Sequence, residues 1–485
     1  MTFRNAKFPL WFAVASSLAS CAHEPSNNPP SRQISSANVS DEDFVKVIGD
    51  FGVSQEEALT LKRQYDADNT KEGWKFHHDK YLKCKQAGST EEKPLALHEQ
   101  CDRAGEKGIF LNLGERIQKL QDKNKSLHAD PKTNGKYTFR GFHAKAHGCL
   151  YGSMNVTDPD TRPEWTRVGV FKEKRNWLTW TRYSNGSGLI QEDYKTQPRG
   201  MAVKLLGVEG ERASIFGNTK LEKTTQDFIM TNKPFATAPD PESFIEFAES
   251  TAYGTGGKLL HLGSFALKHR WIVPILLDLK LKKSWIPNMG AINYWSGVPI
   301  ALGKDKDGKL FPAKFLVKPC ANTSYIKYDY EGNVTDKDSE VIAEFGKEEK
   351  KDAANKDYGR RWLKKLAAKY DICFDLYFQE QTDVDKTSVE DGLNEWKEED
   401  SKPYKVAQII MPKQDFDTPD QNSQCERLRF NPWNAIVDHT PMSDTNQARG
   451  IVYFSSARHR EGHDWTHTTA TVEPRLEDHP LYGAH

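Results

Sequence analysis

The sequence has no surplus of charge: 68 Lys and Arg stand against 68 Asp and Glu in 485 residues. A nucleic-acid binder needs a clustered basic excess, so this balance argues against one. Long apolar runs are also missing. The longest lies at the extreme N-terminus and is too short, and too polar at its end, to span a bilayer, so a helical membrane transporter is excluded. There is no CxxC pair, which leaves redox-motif and zinc-ribbon readings weak. No internal repeat of fixed period is visible. What is present is enough for a large core: 37% hydrophobic residues, with 12 Trp and 24 Phe. The length suits one big domain with extensions, or two to three small ones.

Residues 1–20 read as an export signal. Arg4 and Lys7 form a positive start, and Phe8 to Leu18 an apolar stretch. Leu18-Ala19-Ser20-Cys21 then resembles the bacterial lipoprotein box, which implies cleavage before Cys21 and a lipid on that cysteine. The competing reading is an ordinary cleaved signal with Cys21 as a passenger. Residues 21–41, rich in Ser, Asn and Pro, read as a flexible tether. The expected location is the bacterial cell envelope, periplasm-facing or surface, with a lipid anchor.

Export permits disulfides. Cys84, Cys101, Cys149, Cys320, Cys373 and Cys425 allow 15 connectivities, and sequence does not choose among them. Cys84–Cys101 is the first expectation, because the two are close in a polar segment. For the other four, free buried thiols and disulfides stand as equal alternatives.

Residues 42–104 read as a helical extension, with Ser54 and Glu57 spaced as a capping box. Helical character continues to about residue 125 through another amphipathic stretch, LGERIQKLQDKN, and the resemblance given below covers roughly residues 105–462 as one domain. From about 137 to 320, short apolar runs alternate with turn residues: CLYGSMNV, GMAVKLLGV and KLFPAKFLV look like antiparallel strands. SFIEFAESTA and the region 259–283 look helical. Residues 329–358 carry many charges of both signs and read as a solvated excursion. Arg360 to Lys369 reads as a helix, and ICFDLYFQEQ and YKVAQIIMPKQ as strands. Residues 463–485 form a tail, whose irregularly spaced His463, His467, His479 and His485 read as exposed histidines rather than metal ligands.

The chemistry-bearing residues fall in separated segments. The first runs Arg449-Gly-Ile-Val-Tyr453-Phe-Ser-Ser-Ala-Arg458-His459-Arg460-Glu-Gly462. Arg449 precedes Tyr453 by one helical turn, on the same face, where its charge favours a phenolate. The second runs Arg140-Gly-Phe-His143-Ala-Lys-Ala-His147-Gly148. The third is Thr181-Arg182-Tyr183-Ser184, followed by Gln197-Pro198-Arg199-Gly200-Met201-Ala202-Val203-Lys204.

Together these resemble the haem catalase superfamily, and specifically its divergent bacterial catalase-related haem proteins. The first segment matches the proximal pattern R-x-x-x-Y-x-x-x-x-R-H-R-x-G, the second the distal pattern R-x-x-H-A-K-G-x-G, and the third VRFS and DPRGFAVKF. This sequence has one more residue than catalases between His147 and Val156, which shifts the expected strand start. Tyr294-Trp-Ser-Gly-Val-Pro299, Pro319-Cys320 and Arg429-Phe-Asn-Pro-Trp433-Asn-Ala fit the divergent branch.

The resemblance implies haem b as cofactor, with Tyr453 ligating its iron, as catalase tyrosines do. It implies that Arg449 supports the phenolate and that Arg140, Arg182 and Arg460 hold the haem propionates through planar guanidinium forks. His143 would be the distal base and acid, oriented by Ser184. His147 is a rival at a position without assigned chemistry. The family's distal asparagine is shifted here: counting back from Pro234 places Thr231 there, and a one-residue slip places Asn232. Asn232 is the better candidate because an amide both donates and accepts. The aromatic pair after the proline is replaced by Ala236 and Thr237, while Phe244 falls at another distal phenylalanine.

The implied fold is α+β, a closed antiparallel β-barrel surrounded by helices. The implied function is peroxide or small organic hydroperoxide consumption, as a catalase or with a reducing donor as a peroxidase. Alternatives are a fatty-acid hydroperoxide isomerase or lyase, as in allene oxide synthase, and a low-turnover haem-binding lipoprotein. The oligomeric state stays open.

Overall fold

The computed structural model describes chiefly residues 54–68, 96–101, 107–127, 138–215, 221–251, 255–269, 288–321, 357–461 and 473–483. The signal, Cys21, the tether, Cys84 and nearly all of the charged stretch 329–358 lie outside these. Residues Ser40–His485 form one compact unit. Among the described residues no helix is long and apolar enough to cross a membrane.

Alternating strands close into a barrel. β1 (Ala146–Val156), β2 (Asn176–Asn185), β3 (Arg199–Leu206), β4 (Thr225–Thr231), β5 (Tyr294–Trp295), β6 (Ile300–Lys304), β7 (Leu310–Pro319), β8 (Ile372–Glu380) and β9 (Tyr404–Met411) form one antiparallel sheet. Its order is β5-β4-β3-β2-β1-β9-β8-β7, and β5 pairs back onto β7 to close eight strands, with β6 added at the side. Side chains alternate across a strand. Met201, Val203 and Leu205 of β3, Phe228 and Met230 of β4, and Phe374, Leu376 and Phe378 of β8 all fill the interior. Closure removes unpaired edges and leaves a rigid outer wall.

β2 was not legible as a strand. All but its first residue are buried, so its polarity does not alternate. Trp177 and Tyr183 face the core, while Trp180 packs outside against Cys425, Leu428 and Phe430. Structure on both faces of the wall buries both sets of side chains. At the start of β1, Ala146 pairs with Ser184 and Gly148 with Tyr183, so His147 is a bulge residue.

Helices cover the wall. α1 (Gln55–Asp68) opens with the expected capping box: Glu57 N–H donates to Ser54 Oγ at 3.3 Å and Ser54 N–H to Glu57 Oε2 at 3.0 Å. α2 (Lys107–Leu127) buries Ile109, Phe110, Leu113 and Ile117. α3 (Pro241–Thr251), α4 (Thr255–Lys268), α5 (Tyr358–Lys369) and α6 (Pro419–Arg427) follow, then α7 (Ser443–Glu461). Gln118 and Gln121 of α2 donate to the carbonyls of Ser455 and Ser456 on α7 at 3.1 and 3.2 Å. Gly114 lets the two helices approach, since a Cβ there would lie 2.5 Å from Ser455 Oγ.

Cys149 pairs with Cys425, joining β1 to α6, and Cys320 with Cys373, joining β7 to β8. These four are therefore bridged, not free thiols. Cys101 is also in a disulfide, and its expected partner, Cys84, lies outside the described residues. The reading of the tail histidines as exposed is wrong for His479. It is 3% exposed, bonded to the Thr179 carbonyl at 3.0 Å and set against Tyr151 and Trp180.

Buried histidines give the fold a pH dependence, and two of them lie away from the pocket described below. Burial pushes His147 down to about 3 and His439 to about 4. His439 Nε2 accepts from Val170 N–H at 3.1 Å, which requires a neutral ring. Unfolded histidines titrate near 6.5, so below that pH the unfolded chain binds protons the native one refuses, and stability rises with pH through this window. Stability is therefore expected to fall as pH drops from about 6.5 toward 4, by up to ~1.4 kcal/mol per pH unit per histidine. Urea midpoints at pH 7 and 5 test this. His439→Gln is expected to flatten the slope, and an unchanged slope would refute it.

Candidate active site

The barrel's outer wall forms the floor of a pocket, where the space free of atoms, open solvent included, is about 670 Å³. Arg182 and Ser184 of β2, Gly200 and Ala202 of β3 and Ile229 of β4 line the wall side. Val452, Tyr453, Ser456, Ala457 and Arg460 of α7, with Ile117 of α2, line the opposite side. Arg140, Phe142 and His143 come from the segment leading into β1, and Phe430 from the loop after α6.

His143 holds a left-handed backbone, φ +56°, which is uncommon for a residue with a side chain. Its N–H donates to the Gly186 carbonyl at 3.2 Å, and its Nδ1 lies 3.0 Å from Ser184 Oγ. Arg182 Nη2 donates to the His143 carbonyl at 2.9 Å. Burial first, then the charges of Arg182, Arg449 and Arg140, push the imidazole down to about 3. The ring is neutral at any ordinary pH and has one nitrogen free to accept a proton when the other donates to Ser184.

Gly200 makes this seat. It pairs with Ser184 across β2 and β3. A Cβ at Gly200 would lie 2.4 Å from His143 Nδ1 and 3.0 Å from Ser184 Oγ. Gly200→Ala is expected to displace the ring and break its bond to Ser184, read as a shift of the His143 imidazole resonances. Unaltered resonances would show that His143 is not seated against Gly200.

On α7, Arg449 Nη2 donates to the Tyr453 hydroxyl oxygen at 3.4 Å, and its Nη1 to Asn446 Oδ1 at 2.8 Å. Asn446 is itself fixed, donating to the Pro299 carbonyl at 2.7 Å and accepting Trp433 Nε1–H on its own carbonyl at 2.7 Å. The segment Arg429 to Ala435, singled out in the sequence only by resemblance, thus helps orient the Arg449–Tyr453 pair. It is anchored by Asp227, which accepts from Asn431 N–H at 2.9 Å and Asn434 Nδ2 at 2.8 Å, and which pairs with buried Lys204 at 2.7 Å.

Three buried arginines gather at one end. Arg140 Nη2 donates to the carbonyls of Cys425 and Leu428 at 3.2 and 3.0 Å, and Arg460 Nη1 to that of Glu426 at 3.1 Å. The carbonyls of Cys425 and Glu426 lie at the C-terminus of α6, where the last carbonyls lack helical partners. The Nε atoms of Arg140 and Arg182 are buried without a hydrogen-bond partner among the described residues.

Seven sequence-flagged residues therefore bear on one space: His143, Ser184, Arg140, Arg182, Tyr453 and Arg460 line it, and Arg449 contacts Tyr453. Phe244 does not line it but packs on Phe142, ring centroids 4.7 Å apart. Neither Asn232 nor Thr231 lines the pocket. Asn232 is buried, its Oδ1 accepting from Arg199 N–H at 2.6 Å, where it ties the end of β4 to the start of β3. His147 is fully buried away from the site, bonded to Asn185 at 2.8 Å. Sequence reasoning missed Asn446 and Glu426, because neither carries a signal without knowing what folds against it.

No family model and no curated protein matches this sequence. Solved structures do. A fungal catalase matches with TM-score 0.52 at 18% identity, over 69% of this chain and 61% of that one. Catalase A from Saccharomyces cerevisiae matches with TM-score 0.50 at 16% identity, over 74% and 75%. The chain thus spans about three-fifths of the fungal catalase's length. The likeness shows a catalase-like fold.

Proposed function

We propose that this chain is an exported haem protein that consumes hydrogen peroxide or a small organic hydroperoxide, held at the cell envelope by a lipid on Cys21. The convergence of Tyr453, the His143–Ser184 pair and the three arginines on one pocket carries this reading. The residues fit haem. Arg140 and Arg182 offer buried, unpartnered N–H groups suited to propionates. Tyr453 offers a phenolic oxygen beside a cation, suited to Fe(III). Apolar Ile117, Ala202, Ile229 and Val452 line the space between.

Bound haem would supply the two-electron redox chemistry of peroxide reduction. The chain's residues supply the rest. Arg449 donates to the Tyr453 oxygen and Asn446 holds Arg449 in place, so the phenolic oxygen is fixed toward the pocket's helix side. Neutral His143 accepts the peroxide proton at Nε2 while Nδ1–H donates to Ser184 Oγ. The same imidazole then returns that proton to the departing oxygen, so the leaving group departs neutral. Apolar side chains on both sides of the pocket lower the local dielectric and strengthen these interactions.

The test uses haem-loaded protein lacking residues 1–21, with oxygen evolution followed on adding hydrogen peroxide. Oxygen at half the peroxide consumed is the expected result and supports a catalase. Peroxide loss without oxygen, or loss of a fatty-acid hydroperoxide without an electron donor, moves the reading to a peroxidase or an isomerase. Failure to take up haem stoichiometrically overturns it.

A further inference from the structure

The seat of His143 has a second side. Ser184 and Gly200, which hold the imidazole on the pocket side, face each other on one rung of the β2–β3 ladder. The next rung pairs Asn185 with Arg199, and both are buried. Successive side chains of a strand point to opposite faces, so this pair lies on the face of the wall turned away from the pocket. Both reach one residue there. Asp193, in the connection from β2 to β3, accepts from Asn185 Nδ2 on its Oδ1 at 2.9 Å and from the Arg199 guanidinium on its backbone carbonyl.

A third arm runs to the segment that carries His143. Lys145 Nζ donates to Asp193 Oδ1 at 2.7 Å, and the Lys145 carbonyl accepts from Asn185 N–H at 3.0 Å. The hub is itself fastened to a helix: Asp193 Oδ2 accepts from Gly359 N–H, in the first turn of α5, at 2.8 Å. Asp193 is fully buried, and a buried carboxylate is retained where it is paired and hydrogen-bonded. His143, Ser184 and Gly200 meet at the base, and each lies within two positions of a residue bonded to Asp193. The left-handed backbone of His143 persists only where its surroundings over-determine it. The hub adds a fixed point two residues along the chain, from the other side of the wall.

We propose that Asp193 is the positioning residue of the His143 imidazole: it locks Lys145, Asn185 and Arg199 together behind the wall and so keeps the ring in one tautomer against Ser184. This rests on the reading of His143 as the distal base, and it assigns the setting of that base to a carboxylate outside the pocket lining. Asp193 acts through its three neighbours and touches no reacting atom.

The test reads the ring nitrogens of His143 by NMR, in unloaded protein lacking residues 1–21 and carrying isotope-labelled histidine. The signals are assigned by their loss in His143→Gln. The wild type is expected to show one tautomer, protonated at Nδ1. Ser184→Ala frees the ring and marks the tautomer-averaged position. Asp193→Asn keeps the side-chain shape, removes the charge that holds Lys145, and is expected to move the signals at least halfway to that position. Asp193→Asn combined with Ser184→Ala is expected to sit where Ser184→Ala does, because both changes act through one bond. His439→Gln, a buried change away from the site, is expected to leave the signals in place. Lys145→Met removes one arm of the hub and is expected to move them in the same direction. If Asp193→Asn does not fold, Lys145→Met decides in its place. His143 signals unmoved in the deciding variant, moved equally by His439→Gln, or moved beyond the Ser184→Ala position in the combined variant overturn the proposal. The measurement needs no haem, so a failure to take up haem, which overturns the haem reading, is told apart from a failure here.

Discussion

Tyr453→Phe is expected to remove the phenolate signature from the optical spectrum of the haem-loaded protein and to abolish oxygen evolution. The phenylalanine keeps the ring, the helix and the packing, and deletes only the oxygen that Arg449 contacts at 3.4 Å. Residues that merely orient a metal ligand typically cost about 10–100-fold in affinity or activity, so loss of the ligand itself should cost more. Some porphyrin is still expected to bind through the arginines and apolar walls. Arg449→Met gives a graded control: it retains the phenolic oxygen, removes the group that donates to it, and should weaken the phenolate band without abolishing it. A Tyr453→Phe protein with an unaltered spectrum would sink the assignment of the iron ligand.

His143→Ala is expected to retain the Tyr453 spectrum and lose about 10²–10⁴-fold in turnover, the span of a general acid–base contribution. The sign of the pH dependence follows from the environment. A base held down to about 3 by burial and by three arginines is deprotonated throughout the working range. Turnover should therefore show no acid limb from this residue between pH 5 and 8, where an unperturbed histidine would give one near 6.5. His143→Gln, which holds a proton but does not relay one, should resemble the alanine variant. An acid limb near 6.5 that vanishes in both variants would show that the imidazole is solvated rather than pressed between arginines.

The geometry explains why separated segments act together. β2 sends Tyr183 inward to the core and Arg182 and Ser184 outward to the site, so one strand serves both. Opposite them across the β2–β3 ladder stand Ala202 and Gly200, small enough to leave room. α7 lies over this wall at a height set by α2, whose glutamines bond its backbone, and it presents Tyr453 and Arg460 on one face. The distal and proximal groups are thus fixed to two different rigid bodies, the barrel wall and the helix pair, with the pocket between them.

The chain by itself determined much of this. Short apolar runs bounded by turn residues gave β1, β3, β7, β8 and β9, amphipathic and apolar stretches gave α1 to α5, and the Ser54–Glu57 spacing gave a cap that forms as expected. These are local patterns, and local physics is enough to read them. The motif segments named His143, Ser184, Tyr453 and the arginines because each needs a particular residue type at a fixed spacing. Tertiary structure alone decided what depends on contacts between distant segments. It buried β2 on both faces and so erased its pattern. It bridged four cysteines whose pairing spacing does not encode. It turned Asn232 to the backbone of Arg199, docked His479 on the barrel, and brought Lys145, Asn185 and Arg199 together on Asp193. A charge has no counter-ion until the chain has folded, and for that reason no linear pattern could have shown the last of these.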